Sequence, residues 1–262
     1  MNTFLMIVLT LLILTVLVVV HEFGHFIVAR KTGVYVIEFA IGMGPKIFSR
    51  KGKETIFSVR LFPIGGFCRL LGEDSEEDLE EFDLPEDLDE SRYFSNKGKG
   101  QKILILVAGA AMNFIFAFLC ILLVYLGRNV AFFPAILRSF KTIGEFSGLI
   151  YQSLYQLVAG QLGLNDFAGP IGMVGMVQSF VQYGFLTLVS FTALISVNLG
   201  VINLLPIPAL DGGQIFIALV ELIVRRDLSP QKANLINLIG FGLMMFLAII
   251  VAVNDVLRII NG

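Results

Sequence analysis

Residues 4–28 read FLMIVLTLLILTVLVVVHEFGHFIV, and the architecture follows from this stretch. From Phe4 to Val20 nothing in it ionises. A helix of about 20 apolar residues crosses a bilayer, so the stretch is long enough and apolar enough to span. A secretory leader would show a basic start, a shorter apolar run and a small-residue cleavage site. None of these is present, and the expectation is a retained membrane helix. The stretch nevertheless carries His21-Glu22-Phe23-Gly24-His25, which holds both histidines of the chain. Positions i and i+4 share a helix face, so the two imidazoles can reach one metal ion. Glu22 is not needed as a ligand, and its carboxylate is free to take a proton from a water activated at the metal. An acid in hydrocarbon costs at least ~2.5–3.5 kcal/mol, so such residues are rare unless they act. A plain polar network between helices would require neither this spacing nor every histidine of the chain.

The rest of the composition agrees with a membrane protein. Of 262 residues, 56% are hydrophobic and 15% charged, against about 25% charged in soluble domains. The net charge of −2 excludes a nucleic-acid binder, which needs a basic excess. Cys68 and Cys120 read as two reduced thiols, one in a polar-flanked segment and one inside an apolar run, not as a disulfide framework.

Four stretches are long enough to span, roughly 4–28, 103–126, 186–205 and 234–257. The chain divides into a first membrane helix over 1–30, a β region over 31–72, an acidic loop over 73–102, and a second membrane helix over 103–126. An outer loop over 127–185 follows, then a third helix with its Asp-containing end over 186–213, a segment over 214–233 and a fourth helix over 234–262. More than half of the Lys and Arg residues fall between the first two spans, whereas the outer loop holds only Arg128, Arg138 and Lys141. The positive-inside rule makes the former cytoplasmic and places both termini outside. Residues 34–71 alternate and are rich in Val, Ile and Phe, predicting short strands over about 34–41, 45–50, 54–61 and 66–71. They are too apolar for water, so this antiparallel sheet is expected to dip into the membrane interface. The acidic run from Glu73 to Glu90 reads as a solvated loop. Amphipathic stretches over 132–163 and 170–182 would lie on the membrane surface or pack on the spans.

Two histidines leave a catalytic zinc one protein ligand short. With no third histidine and the cysteines badly placed, a carboxylate from another helix must complete the set. The candidate is Asp211, in NLLPIPALDGG over 203–213. By topology it emerges on the side where HEFGH ends, and the two prolines free backbone groups that a membrane tolerates only where they are buried or line a polar cavity.

These paired motifs resemble the site-2 protease family of intramembrane zinc metalloproteases, closest to the bacterial regulator-of-sigma-E type. IGMGP over 41–45 and FPIGGF over 62–67 resemble that family's membrane-reentrant β region, and GAAMNF over 109–114 its second-span motif, where Ala110 often is Pro. GPIG over 169–172 and SVNLG over 196–200 resemble segments near the third span. The resemblance implies Zn²⁺ held by His21, His25 and Asp211, with Glu22 as general base and Asn203 holding an extended substrate segment. It also implies single-span membrane proteins, such as anti-sigma factors, or remnant signal peptides as substrates, and a bacterial inner membrane location. One departure is that the loop between the second and third spans is too short for the PDZ domain usual there.

The expectation is a polytopic α-helical membrane protein with four transmembrane helices and a small membrane-associated antiparallel β region on the cytoplasmic side. Its reaction would be zinc-assisted hydrolysis of peptide bonds within membrane segments. Rival readings are a membrane metal transporter using the same His and Asp residues, for which an inverted repeat is missing, and a silent scaffold, against which Glu22 stands.

Overall fold

The computed structural model describes residues 2–73, 88–163, 169–226 and 228–261. Most of the acidic run read over 73–90 lies outside the described residues. Seven α-helices and two strands follow in the order α1 (Thr3–Lys31), β1 (Val36–Lys51), β2 (Ile56–Leu70), α2 (Lys99–Gly127), α3 (Phe132–Val158), α4 (Pro170–Gln182), α5 (Phe185–Asn203), α6 (Asp211–Val224) and α7 (Pro230–Asn261). Among the described residues four helices are long and apolar enough to cross a membrane: α1, α2, α5 and the Gln231–Arg258 portion of α7. These are the four spans expected.

Helix α1 starts at Asn2, whose side chain accepts from the Phe4 amide at 3.2 Å, and ends at Arg30 and Lys31 ahead of Gly33 in the left-handed region. Apolar residues surround it, as in a helix facing lipid on one side and protein on the other. Phe4, Leu5 and Leu12 stay exposed, while Met6, Leu17 and His21 are buried. It packs on α2 where neither helix has a side chain. A Cβ on Gly24 would strike the Ala108 backbone, and one on Gly109 would strike the His25 ring.

The four expected strands are present as the halves of two long ones. Strands β1 and β2 bend, at Gly42–Gly44 and around Gly65, where glycines take φ of 86°, 85° and 74°, values that only glycine adopts freely. The register gives the order of the halves: 48–51 pairs antiparallel with 56–59, which lies beside 38–41, which pairs antiparallel with 66–69. Glu38 is wholly buried and takes both oxygens to Arg60 Nη2, at 2.9 and 3.0 Å, with Ser58 donating as well. Arg60 Nη1 also donates to the Gly44 carbonyl at 2.8 Å, so this ion pair ties the bend of β1 to β2. Pro63 O accepts from Thr15 Oγ1, so the far end of the sheet lies against the middle of α1.

Helices α3 and α4 pack on the spans. Ile150 of α3 lies in a cluster with Ala117 and Ile121 of α2 and Val197 of α5, and Val177 of α4 with Ile13, Leu17 and Phe191. Asp255 of α7 is buried and accepts from the amides of Gly169 and Gly172 at 3.2 and 2.8 Å, capping the start of α4. Residues 211–224 form a further helix, α6, so Asp211 opens an element instead of closing the third span.

Removing Arg60 leaves the buried Glu38 carboxylate only Ser58 and Lys46, whose Nζ is 3.8 Å away, as partners among the described residues. Arg60→Met is expected to lower stability by about 3–5 kcal/mol, whereas adding Glu38→Met should recover most of the loss. Thermal unfolding in detergent, comparing single and double variants, checks this.

Candidate active site

The HEFGH turn of α1 faces α2 and the turn between α5 and α6. His21 and His25 are buried, and their rings meet edge to face with centroids 4.7 Å apart. Asp211 reaches them because the chain reverses over residues 204–210. Ala209 sits at φ 72°, an uncommon conformation for a residue with a side chain. Side chains on Gly212 and Gly213 would overlap the backbone of Leu204, Leu205 and Ile207, so the glycine pair is what lets α6 fold tightly onto that turn.

The result is a cluster of three atoms with lone pairs. Nε2 of His21 and Nε2 of His25 lie 3.1 Å apart, and Oδ2 of Asp211 lies 3.0 and 3.3 Å from them. Oδ2 is buried and has no hydrogen-bond partner. Ligands held about 2.0–2.1 Å from a tetrahedral zinc would stand ~3.3 Å from one another, so the three atoms fit the ion. A cation shared among the three atoms would offset the mutual repulsion of their lone pairs. Among the described residues this is the one His, Cys and carboxylate group able to hold a metal.

The surroundings orient each donor. His25 Nδ1 is 2.8 Å from the Ile105 carbonyl of α2, so Nδ1–H donates there and Nε2 keeps its lone pair. The side-chain amide of Asn113, wholly buried on α2, lies 3.2 Å from His21 Nδ1, and its carbonyl oxygen has no partner. Ser196 of α5 donates to the Asn113 backbone carbonyl at 2.8 Å and joins the two helices at this depth. Glu22, half-buried, accepts from the Cys68 amide of β2 at 3.1 Å. Asn203, the last residue of α5, has Nδ2 3.4 Å from both ring nitrogens of His21. With Glu22, Asn203 and Asp211 it lines a cavity of about 200 Å³ beside the cluster.

All five residues singled out in the sequence thus come together. The Ile105 carbonyl and the Cys68 amide did not emerge from sequence reasoning, and Asn113 appeared there only within GAAMNF, without a role. Asn113 alone had a readable signal, an amide inside an apolar span. The two thiols are free.

The sequence profile of peptidase family M50 matches residues 9–247. The chain is 30% identical to a Clostridium perfringens protein named as a candidate zinc metalloprotease, over 96% of this chain and 98% of that protein. It is 29% identical to a likewise named protein of Clostridium acetobutylicum, over 99% of each. It is 26% identical to the regulator of sigma-W protease RasP of Bacillus subtilis, over 95% of this chain and 97% of that protein. These alignments run over 340 to 411 positions against 262 residues here, so the relatives carry residues this chain lacks. A match from residue 9 to residue 247 makes this protein a zinc metalloprotease of peptidase family M50.

Proposed function

We propose that His21, His25 and Asp211 hold the zinc of this intramembrane metalloprotease, that Glu22 is its general base and that Asn203 positions substrate. The carrying observation is the convergence of Nε2, Nε2 and Oδ2 to within 3.3 Å between helices that are otherwise apolar. Bound there, zinc supplies a Lewis acid that polarises a carbonyl and acidifies water. Glu22 takes the proton as water adds to the scissile carbonyl carbon, and returns it to the amine nitrogen as the C–N bond breaks. The Cys68 amide keeps its carboxylate turned to the cavity. Asn113, with its amide oxygen toward the ring, accepts from His21 Nδ1–H, which leaves Nε2 its lone pair and gives the orphaned oxygen a partner.

A peptide bond within a helix is shielded by its own hydrogen bonds, so the substrate segment must unwind first. The 66–69 half of β2 offers an edge for it, next to Glu22, and an added strand would be held there by main-chain hydrogen bonds. An apolar cavity of about 540 Å³ between α1, α3, α4 and α5 shares Val18 and Leu199 with the site cavity, a setting for apolar substrate side chains. Membrane-anchored anti-sigma factors and remnant signal peptides are the substrates this reading favours; the Bacillus relative is named as a regulator of a sigma factor. The Lys and Arg distribution supports a multi-pass protein of the bacterial cell membrane, with both termini outside and the site toward the cytoplasm. A metal carrier would need successive sites along a path, and the described residues hold one compact cluster.

Four outcomes are expected from purified protein and a single-span substrate. Glu22→Gln should keep its zinc, read by metal analysis, while cleavage falls by at least ~10²-fold; a variant that still cleaves would sink the mechanism. Asp211→Ala should lose both zinc and activity, and a chelator should stop the parent enzyme until zinc is restored. Asn113→Leu should weaken zinc binding by about 10–100-fold while the protein stays folded, as competition with a metal indicator would show.

A further inference from the structure

Among the described residues, one face of the sheet leaves Ile41, Phe48, Phe57 and Val59 partly exposed while Phe39 packs on Phe26 of α1, and the chemistry of this face is graded along its length. Alternate residues of three adjacent strand halves share this face. Ile41, Val59 and Phe48 form one row through the pairings Ile41↔Val59 and Phe48↔Val59, and Phe39, Phe57 and Arg50 form the next through Phe39↔Phe57 and Arg50↔Phe57. Phe23 of α1 closes one side, 6.3 Å from Phe39, which is itself 6.3 Å from Phe57. Beyond the second row comes the Lys51-Gly52-Lys53 turn. Together these residues enclose an open groove of about 700 Å³, apolar at one end and basic at the other.

Depth fixes how the groove lies in a bilayer. The bent end of the sheet is held at the middle of α1 by the Thr15–Pro63 contact, and Cys68 meets Glu22 about two turns further along. The Lys51–Lys53 turn lies at the other end, toward the basic Arg30–Lys31 terminus of α1. Apolar rows thus sit at the depth of acyl chains and the basic turn at that of headgroups. The one acid in the turn, Glu54, is drawn off by Arg92, which donates at 2.9 and 3.2 Å, so it does not cancel the charge at the mouth. Phe48 is 62% exposed, and Phe57 and Val59 are about two-fifths exposed, an apolar face that in water would be a liability.

We infer that this groove is a binding site for an anionic phospholipid, its acyl chain lying on Phe48, Phe57 and Val59 and its phosphate between Arg50 and Lys53. A zwitterionic lipid satisfies the apolar rows equally well but gains nothing from the basic mouth. Each basic side chain at a membrane surface favours anionic lipid by about fivefold, so the pair gives a preference of about 25-fold.

The chain contains no Trp, so Phe48→Trp introduces a fluorophore without background. The full chain carrying it is reconstituted in phosphatidylcholine vesicles with small fractions of brominated phosphatidylglycerol or brominated phosphatidylcholine of the same acyl chains. The expected result is half-quenching at a fraction of the anionic quencher roughly 25-fold below that of the zwitterionic one, with the preference lost in Arg50→Gln/Lys53→Gln. Equal quenching by the two lipids, or a preference that survives the double variant, overturns the inference. Native mass spectrometry of the Trp-free protein gives an independent reading: co-purified phosphatidylglycerol should fall in the double variant, and unchanged occupancy counts against the site. If an acidic-flanked single-span peptide in pure phosphatidylcholine changes the fluorescence while the lipids do not differ, the groove belongs to substrate and the lipid assignment is wrong. Arg50 and Lys53 stand apart from the zinc ligands and Glu22, so cleavage in detergent should be unchanged in the double variant.

Discussion

Where α1 crosses α2, Gly24 lies against the backbone of Ala108 and Gly109 lies beneath the ring of His25. That contact sets the distance between the two helices, and the distance sets everything nearby. It brings the Ile105 carbonyl within reach of His25 Nδ1 and the Asn113 amide within reach of His21. A methyl group on either glycine would push the helices apart and leave the imidazoles without the partners that fix their tautomers. Lipid supplies no replacement hydrogen bonds, so small residues here allow polar ones nearby. The same trade recurs on the other side of the cluster, where Gly212 and Gly213 let α6 press onto the 204–208 turn that presents Asp211.

Much of this was legible in the sequence, for identifiable reasons. The spans were, because a run such as Phe4–Val20 has few uses outside a bilayer. His21, Glu22 and His25 were, because helical spacing puts the two rings on one face, and Asp211 followed from the missing ligand. Four strand segments were legible, but their continuity was not: Gly42, Gly44 and Gly65 punctuate the sequence as turns do, whereas here they bend strands that go on pairing. Helix α3 was blurred by Arg138, Lys141 and Glu145, which break the apolar pattern without breaking the helix. Orienting groups that belong to the backbone, Ile105 O and Cys68 N, have no letter to read.

The sheet does two jobs through its two kinds of surface. Its edge supplies the amide that orients Glu22, while its ion-paired interior, Glu38 with Arg60, keeps two bent strands in a single register. Its partly exposed face meets the surroundings. The amide that holds Glu22 belongs to an element whose other face carries exposed apolar residues, which on the proposed reading gives bilayer composition a physical route to the site.

The proposed ligands are far apart along the chain: Asp211 is made 190 residues after His21. At about 5–20 residues per second, the first span would wait roughly 10–40 s, with its histidines and glutamate in place, before the third ligand exists. During that time the nascent helix has no complete zinc site and therefore no hydrolytic power. On the proposed assignment, splitting the site between α1 and α6 ties hydrolytic power to synthesis of the chain as far as α6.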